Sequence, residues 1–281
     1  GKTAVSEGCS ISGNSTDGFK DALELAEESD VVVLTLGIDK SVEHEGHDRT
    51  DTALPGLQER LAREIMEVNP NAILVLANGG SLAIDNLIHG PRAIIEAFNP
   101  AVTGPLALAQ HLFGLENRWG KLPITMYPHA YISTQEMANY DMSKSPGRTY
   151  KYYEGKPLFK FGFGLSYTDF EMSCEKNNKT EVLCKLANVG ERHGDEVVQV
   201  YHSVSAEIRS EADHPVPRST LVDFARVRLS SGKSTDVTFE ITKDMFKLVN
   251  SNGDRVTYPG SHQLTFSRGH GEDVSLTFEI S

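Results

Sequence analysis

The chain has 281 residues, 39% of them hydrophobic, enough to bury a sizeable core in one or two domains. Its formal charge is −12, from 27 Lys and Arg against 39 Asp and Glu, which disfavours nucleic acid and anionic membranes as partners and leaves a neutral substrate as the better fit. No run approaches the roughly 18 apolar residues that span a bilayer, the longest being strand-sized stretches such as Val31–Leu36 and Ala72–Ala77.

Residue 1 is Gly, with no basic and apolar leader behind it, so a segment upstream is expected to have been removed. Thr16 or Asp17 is placed to cap a helix running to about Glu28, with Phe19, Leu23 and Ala26 on one side. Val31–Leu36 follows as an apolar strand ending at Gly37. Leu57–Val68 sets Leu57, Leu61, Ile65 and Val68 on one helical stripe, and Ala72–Ala77 is the next strand, ending at Asn78-Gly79-Gly80. Ala93–Phe98 is a third strand and Gly104–Phe113 a helix. Alternating helices and strands buried on both faces predict an α/β fold over residues 1–130, a mainly parallel sheet sandwiched by helices. Ligands of such sheets sit beyond the strands' carboxyl ends, here the segments after Leu36, Ala77 and Phe98.

A Pro-, Gly- and Tyr-rich connector is expected over 131–167. From 168 to 281 short alternating strands, Phe170–Leu186, Glu196–Ser203, Val222–Leu229, Ser234–Ile241 and His262–Phe266, predict an all-β sandwich of fibronectin-III-like character. Two antiparallel strands around Lys176–Lys179 would bring Cys174 and Cys184 together and leave Cys9 over. Asn14-Ser15-Thr16 and Asn178-Lys179-Thr180 are glycosylation sequons. With the candidate disulfide, they place the expected location outside the cell.

The segment richest in chemistry is Gly37–Arg49, which leaves a buried strand carrying Asp39, Glu43, Glu45 and Asp48 with His44, His47 and Arg49. A loop at a strand's carboxyl edge is where a sheet presents catalytic groups, and glycosidic cleavage needs a protonated carboxyl beside the leaving oxygen. Glu43 or Glu45 can be that acid, while Asp48 and Arg49 fit a supporting pair that braces the loop. The plain alternative is a solvated acidic loop. His44, Glu45, His47 and Asp48 are also metal-ligating types, but adjacent residues of one loop are a weak pattern, and no metal or other cofactor is expected.

The run Val42-Glu43-His44-Glu45-Gly46-His47-Asp48-Arg49 with Leu54-Pro55-Gly56-Leu57-Gln58 resembles the Glu-x-Glu-x-x-Asp-Arg and Leu-Pro-Gly-x-Gln signature of glycoside hydrolase family 3. Further resemblances follow in family order. They are Leu112-Phe113-Gly114 with Gly120-Lys121-Leu122-Pro123-Ile124-Thr125, Pro146–Tyr153 around Gly147-Arg148-Thr149-Tyr150, Phe161-Gly162-Phe163-Gly164-Leu165-Ser166-Tyr167, and Asn188-Val189-Gly190 with Gly194–Tyr201. The run Asn99-Pro100-Ala101-Val102-Thr103-Gly104 departs from the family's Tyr-Pro-Gly-x-x-Gly-Gly.

The resemblance implies the C-terminal part of a retaining, exo-acting β-glycosidase, closer to the β-xylosidase branch than to the β-glucosidase one, acting on an oligosaccharide or β-glycoside. In the family an aspartate nucleophile lies on an N-terminal barrel and the acid/base on a loop of the following α/β domain. The expected partner is therefore a barrel segment of the same precursor, without which the chain is inactive. The resemblance, in which the family's acid/base glutamate lies shortly before the Asp-Arg, implies Glu45, three residues before Asp48, as acid/base, with Glu43 as the alternative. A non-catalytic structural or carbohydrate-binding module derived from the family is the competing expectation.

Overall fold

In the computed structural model, which describes residues 1–281, the helix α1 spans Phe19–Glu27 and buries Phe19, Ala22 and Ala26, the three- and four-residue spacing of one face. Neither Thr16 nor Asp17 caps it. The cap position is Gly18, without a side-chain cap bond, and its carbonyl accepts the first helical N–H, from Ala22 at 3.1 Å. A Cβ at position 18 would stand 2.4 Å from the Gly8 carbonyl oxygen, so only glycine lets the chain pass there.

The strands β1 (Val32–Gly37), β2 (Ala72–Ala77) and β3 (Ala93–Glu96) form a parallel sheet in the order β1-β2-β3. Register runs from Val32 opposite Ala72 to Gly37 opposite Ala77, and from Ile73 opposite Ala93 to Leu76 opposite Glu96. The helix α2 (Gln58–Val68) lies beside α1, and Leu61 and Ile65 join Phe19, Ala22, Val32 and Leu34 in one cluster. The central strand is closed in, with Leu74, Val75 and Leu76 buried. β1 alternates, Leu34 packing against the helices while Val33 is 48% exposed, so α1 and α2 cover one face of that strand. The helix α3 (Gly104–Leu112) buries no residue. β3 ends two residues before the expected Phe98, which turns into the left-handed region at φ 52°. No helix is long and apolar enough to cross a membrane.

By its contacts the chain forms two units, one of residues 1–108, 126–138 and 156–159, the other of 109–125, 139–155 and 160–281. The short helices α4 (Thr149–Tyr152) and α5 (Ala206–Glu211) belong to the second. So do the strands β4 (Phe170–Asn178), β5 (Glu181–Asn188), β6 (Gly194–Val204), β7 (Thr220–Leu229) and β8 (Ser234–Glu240). A two-residue ladder pairs β9 (Leu248–Val249) with β10 (Arg255–Val256), and β11 (Gly260–Ser267) and β12 (Val274–Ile280) close the chain. A four-stranded sheet, β12-β11-β6-β7, and a three-stranded one, β4-β5-β8, share a core built from alternate residues such as Val182, Cys184, Leu186, Val198, Val200, Phe239, Leu264 and Phe266. Cys174 stands opposite Cys184 across β4 and β5, and the two sulfurs are bonded.

Several of the quoted motifs do structural work in this unit. The Asn188 side chain, 1% exposed, donates to the Arg192 and Leu229 carbonyls (2.7 and 3.1 Å) and accepts from Thr168 Oγ1 (2.8 Å) and the Gly190 N–H (3.2 Å). The buried Glu196 carboxylate meets Lys121 Nζ at 2.7 Å and Arg268 at 3.3 Å, while Lys121 also donates to the Gly164 carbonyl at 2.8 Å. Three motifs far apart in the chain, and the segment around Arg268, are thereby held to one another.

A buried histidine pair gives this unit a pH signature. His262 Nε2 lies 2.8 Å from the Tyr258 carbonyl, which can only accept, so its Nδ1 is left to accept from His202 Nε2 at 2.9 Å. Burial, and secondarily the neighbouring His262, pushes His202 from 6.5 down to about 4. Its folded pKa lies below its unfolded one, so the stabilisation is complete above pH 6.5 and is lost as pH falls towards 4. Denaturant unfolding should show the second unit losing up to about 3 kcal/mol over that window, and His202→Gln should flatten the loss.

Candidate active site

The chain leaves β1 at Gly37, and one buried side chain takes up both backbone groups there. Gln58 Oε1 accepts from the Gly37 N–H at 2.7 Å, and Gln58 Nε2 donates to the Gly37 carbonyl and to the Ile11 carbonyl, each at 2.8 Å. A Cβ at position 37 would lie 1.8 Å from the Ala77 carbonyl oxygen, so β1 and β2 come this close only with glycine in place. This is what the Gln of Leu54-Pro55-Gly56-Leu57-Gln58 does.

Beyond Gly37 the loop is two consecutive turns. Asp39 Oδ1 accepts from the Ser41 N–H and hydroxyl (2.8 and 2.6 Å), bonds that lower its pKa, and its carbonyl accepts from the Val42 and Glu43 N–H groups. His44 and His47 then pair through both backbone bonds (3.1 and 2.9 Å), which makes Glu45 and Gly46 the tip of a two-residue turn. Gly46 at φ 82° matches the second central position of a type II turn, which favours glycine. The two imidazoles stack at 5.3 Å, and His44 Nδ1 donates to the Glu45 carbonyl at 2.7 Å. No group of three His, Cys, Asp or Glu side chains is arranged to hold a metal ion.

This geometry separates the two candidate acids. An extended loop would have pointed Glu43 and Glu45 in similar directions; the turn between His44 and His47 sends them apart. Glu43 Oε2 accepts from Arg49 Nε at 2.7 Å, and Arg49 Nη2 donates to the Ser81 carbonyl at 2.6 Å. A Cβ on Gly80 would stand 2.8 Å from Arg49 Nη2 and 3.0 Å from Glu43 Oε1, so the pair lies directly over that glycine. Glu45 is exposed, with no hydrogen bond or ion pair on its carboxyl. Arg49 braces the loop, but its carboxylate partner is Glu43 and not the adjacent Asp48, which is exposed. Neighbouring side chains of an extended segment diverge, whereas Glu43 returns to Arg49 across the turn.

The other two strand ends complete the rim, and their residues escaped the sequence reading. Asn78, fully buried, donates from Nδ2 to the Gly80 carbonyl at 2.8 Å, and its N–H donates to the Phe98 carbonyl at 3.2 Å. Glu96 Oε1 accepts from the Phe98 N–H at 3.1 Å. Burial drives its carboxyl up to about 7, against the opposing pull of the bonds from Phe98 and Asn78. The available signal was a lone acid at the end of the apolar run Ala93–Ile95. Two tyrosines of the connector, Tyr150 and Tyr167, and Trp119 ahead of it pack on neighbouring rings. Tyr150 stacks on Phe161 at 4.2 Å and meets Tyr201 edge-on, while Trp119 lies between His111 and Tyr167.

Residues 2–167 match the family described as "Glycosyl hydrolase family 3 C-terminal domain", and residues 196–268 match "Fibronectin type III-like domain". The chain is 30% identical over 303 residues to the probable exo-1,4-beta-xylosidase bxlB of Aspergillus fumigatus, a match covering 98% of this chain and 39% of that protein. With beta-D-xylosidase 1 of Arabidopsis thaliana it shares 38% identity over 195 residues, 67% of this chain and 25% of the relative. Among solved structures, a GH3 exo-beta-xylosidase, XlnD, in complex with a xylobiose aziridine activity-based probe superposes at a TM-score of 0.89 and 28% identity, over 98% of this chain and 39% of that one. The β-glucosidase EmGH1 from Erythrobacter marinus superposes at 0.79 and 28% identity, over 94% of this chain and 36% of that one. The chain thus spans about two fifths of the length of bxlB and of XlnD.

The Gln58 clamp is open to a direct test. Gln58→Leu keeps the volume but strips three backbone groups of their partners, and urea unfolding of the first unit should show a loss of about 2–4 kcal/mol. A loss below about 1 kcal/mol would mean that water replaces the clamp.

Proposed function

Because the chain belongs to glycosyl hydrolase family 3, we propose that it is the C-terminal part of a retaining, exo-acting β-glycosidase of β-xylosidase type. In this reading it supplies the acid/base, Glu45, to a site completed by an N-terminal barrel segment of the same precursor. The observation that carries it is the division between the two acids of the loop. Glu43 is committed to Arg49, while Glu45 stands at the tip of a turn with both carboxyl oxygens available.

The chemistry needs two carboxyls about 5–5.5 Å apart. A carboxylate from the barrel attacks the anomeric carbon, the Glu45 proton passes to the departing glycosidic oxygen, and a glycosyl ester forms. Water then gives a proton to the Glu45 carboxylate as its oxygen attacks the same carbon and frees the nucleophile. The chain contributes the proton in one half-reaction and removes it in the other. Its 281 residues alone should hydrolyse nothing.

In the full-length enzyme, Glu45→Gln should lower kcat/KM by about 10²–10⁴ on glycosides with alkyl or sugar leaving groups. The loss should be far smaller in the first step with activated aryl glycosides, whose leaving groups need no proton. Glu43→Gln should reduce both substrate classes together by loosening the loop. Leaving-group selectivity in Glu43→Gln instead would transfer the role to Glu43. A full-length protein inactive on every β-glycoside would favour a non-catalytic module.

The same reading places the chain outside the cell. The Cys174–Cys184 bond is of the kind that persists in oxidising compartments. Asn178 lies exposed at the tip of the β4–β5 hairpin, its Oδ1 accepting from the Thr180 N–H and hydroxyl (2.8 and 3.0 Å), and Asn14 is exposed too. Protein purified from its natural source should lose mass on treatment with peptide-N-glycosidase, and less so as Asn178→Gln. An unchanged mass would count against the secretory reading.

A further inference from the structure

Three loops leave the carboxyl edge of the parallel sheet, and hydrogen bonds join them in one line. Glu96, at the end of β3, accepts the Phe98 N–H (3.1 Å), and the Asn78 amide at the end of β2 faces its carboxyl. Asn78 holds the Phe98 carbonyl through its N–H (3.2 Å) and the Gly80 carbonyl through Nδ2 (2.8 Å). The next carbonyl, that of Ser81, receives Arg49 Nη2 (2.6 Å), and Arg49 Nε grips Glu43 (2.7 Å), two residues before Glu45. Phe98 sits in the left-handed region at φ 52°, a conformation a bulky residue keeps only when its surroundings impose it. Its two backbone groups are held by Glu96 and Asn78, which are those surroundings.

We propose that Glu96 is a positioning residue for the acid/base loop: through Phe98 and Asn78 its carboxyl locks the Asn78–Ser81 turn, to which Arg49 and Glu43 moor that loop. The proposal rests on the reading of Glu45 as the acid/base. It is the neutral acid that does the locking. No cation pairs with Glu96; the groups facing it are the uncharged Asn78 amide from β2 and the Phe98 N–H of its own loop. Its Oε2 is buried and takes no donor from the protein, which a proton on that oxygen accommodates and a charge does not. The next ionisable groups along the line, Arg49 and Glu43, neutralise each other. The carboxyl is held up to about 7, so ionisation on the alkaline side puts an unpaired charge between the strand ends. Opening the turn to water relieves it, and the mooring of the loop is lost with it.

The isolated chain tests the coupling without catalysis. The backbone 13Cα shifts of Phe98, Gly80 and Gly46 should move together between pH 5.5 and 8.5 with a midpoint near 7. In Glu96→Gln, whose amide mimics the neutral acid, they should stay at their low-pH values, and in Glu96→Ala at their high-pH values. The loop carries its own ionisable groups, Glu43, His44, Glu45, His47 and Asp48; a Gly46 transition that survives in Glu96→Gln belongs to them and overturns the proposal. Movement confined to Phe98 overturns it equally. In the full-length enzyme, Glu96→Gln should raise the ratio of kcat/KM at pH 8.5 to that at pH 6.5 about tenfold, while Glu96→Ala lowers kcat at both. An unaltered ratio contradicts the proposal. Failure of Glu45→Gln to show leaving-group selectivity instead removes the catalytic reading and leaves the shift result in the isolated chain standing.

Discussion

Where a parallel strand ends inside a protein, its last N–H and C=O leave the ladder and must find partners or cost free energy. At Gly37 both find the same one, the Gln58 amide, which reaches up from the first turn of α2. The rest of the rim depends on this bond pair. It fixes where the sheet stops and the loop starts, and it does so beside Ala77, where no side chain fits. The Arg49 guanidinium supplies a second hold on the Ser81 carbonyl 32 residues further along the chain. A loop held at its root and again just past its tip is a hairpin with a defined outer turn, and Glu45 is on that turn.

How much of this the sequence carries depends on the range of the interaction. The helices α1 and α2 and the three parallel strands rest on local periodicity and were legible to within a few residues. So was the α/β then all-β order. The final strand β12 was missed although Val274, Leu276, Phe278 and Ile280 alternate as a half-buried strand should. The α1 cap and the end of β3 could not be read, because Gly8 and Asn78, which dictate them, are distant in sequence. The site divides the same way. The acidic loop stands out as composition, but which acid turns inward is settled by the turn at Gly46 and by the choice Arg49 makes between Glu43 and Asp48. Asn78 and Glu96 matter only because β2 and β3 are neighbours in the sheet.

The second unit shows that a sequence signature need not mark chemistry. Lys121, Glu196 and Arg268 form a buried charge cluster, and Asp195 is gripped by Arg118 (3.3 Å) and Arg226 (2.8 Å). Burying such ions gains little net stability over an apolar core, yet removing one partner costs about 3–5 kcal/mol. The function such a cluster serves well is registration. It holds the segments around residues 121, 164, 196 and 268 in one arrangement and penalises any other, much as Asn188 does with its four bonds. Motifs of this kind identify the fold; those of the Gly37–Arg49 loop and of Gln58 build the rim.

Two glutamates separated by one residue thus meet opposite fates, and the difference lies in the space around them. Glu43 packs over Gly80, where an added methyl group would collide with it and with Arg49. At Gly46 an added Cβ would meet nothing within 4 Å, so that glycine serves its φ of 82° and not a close approach. The tip of the turn is therefore conformationally fixed and sterically open. A group meant to hold the loop belongs in the first environment and a group meant to reach a reacting oxygen belongs in the second. The Gly37–Arg49 segment separates a moored carboxylate from an open one with one turn and one guanidinium.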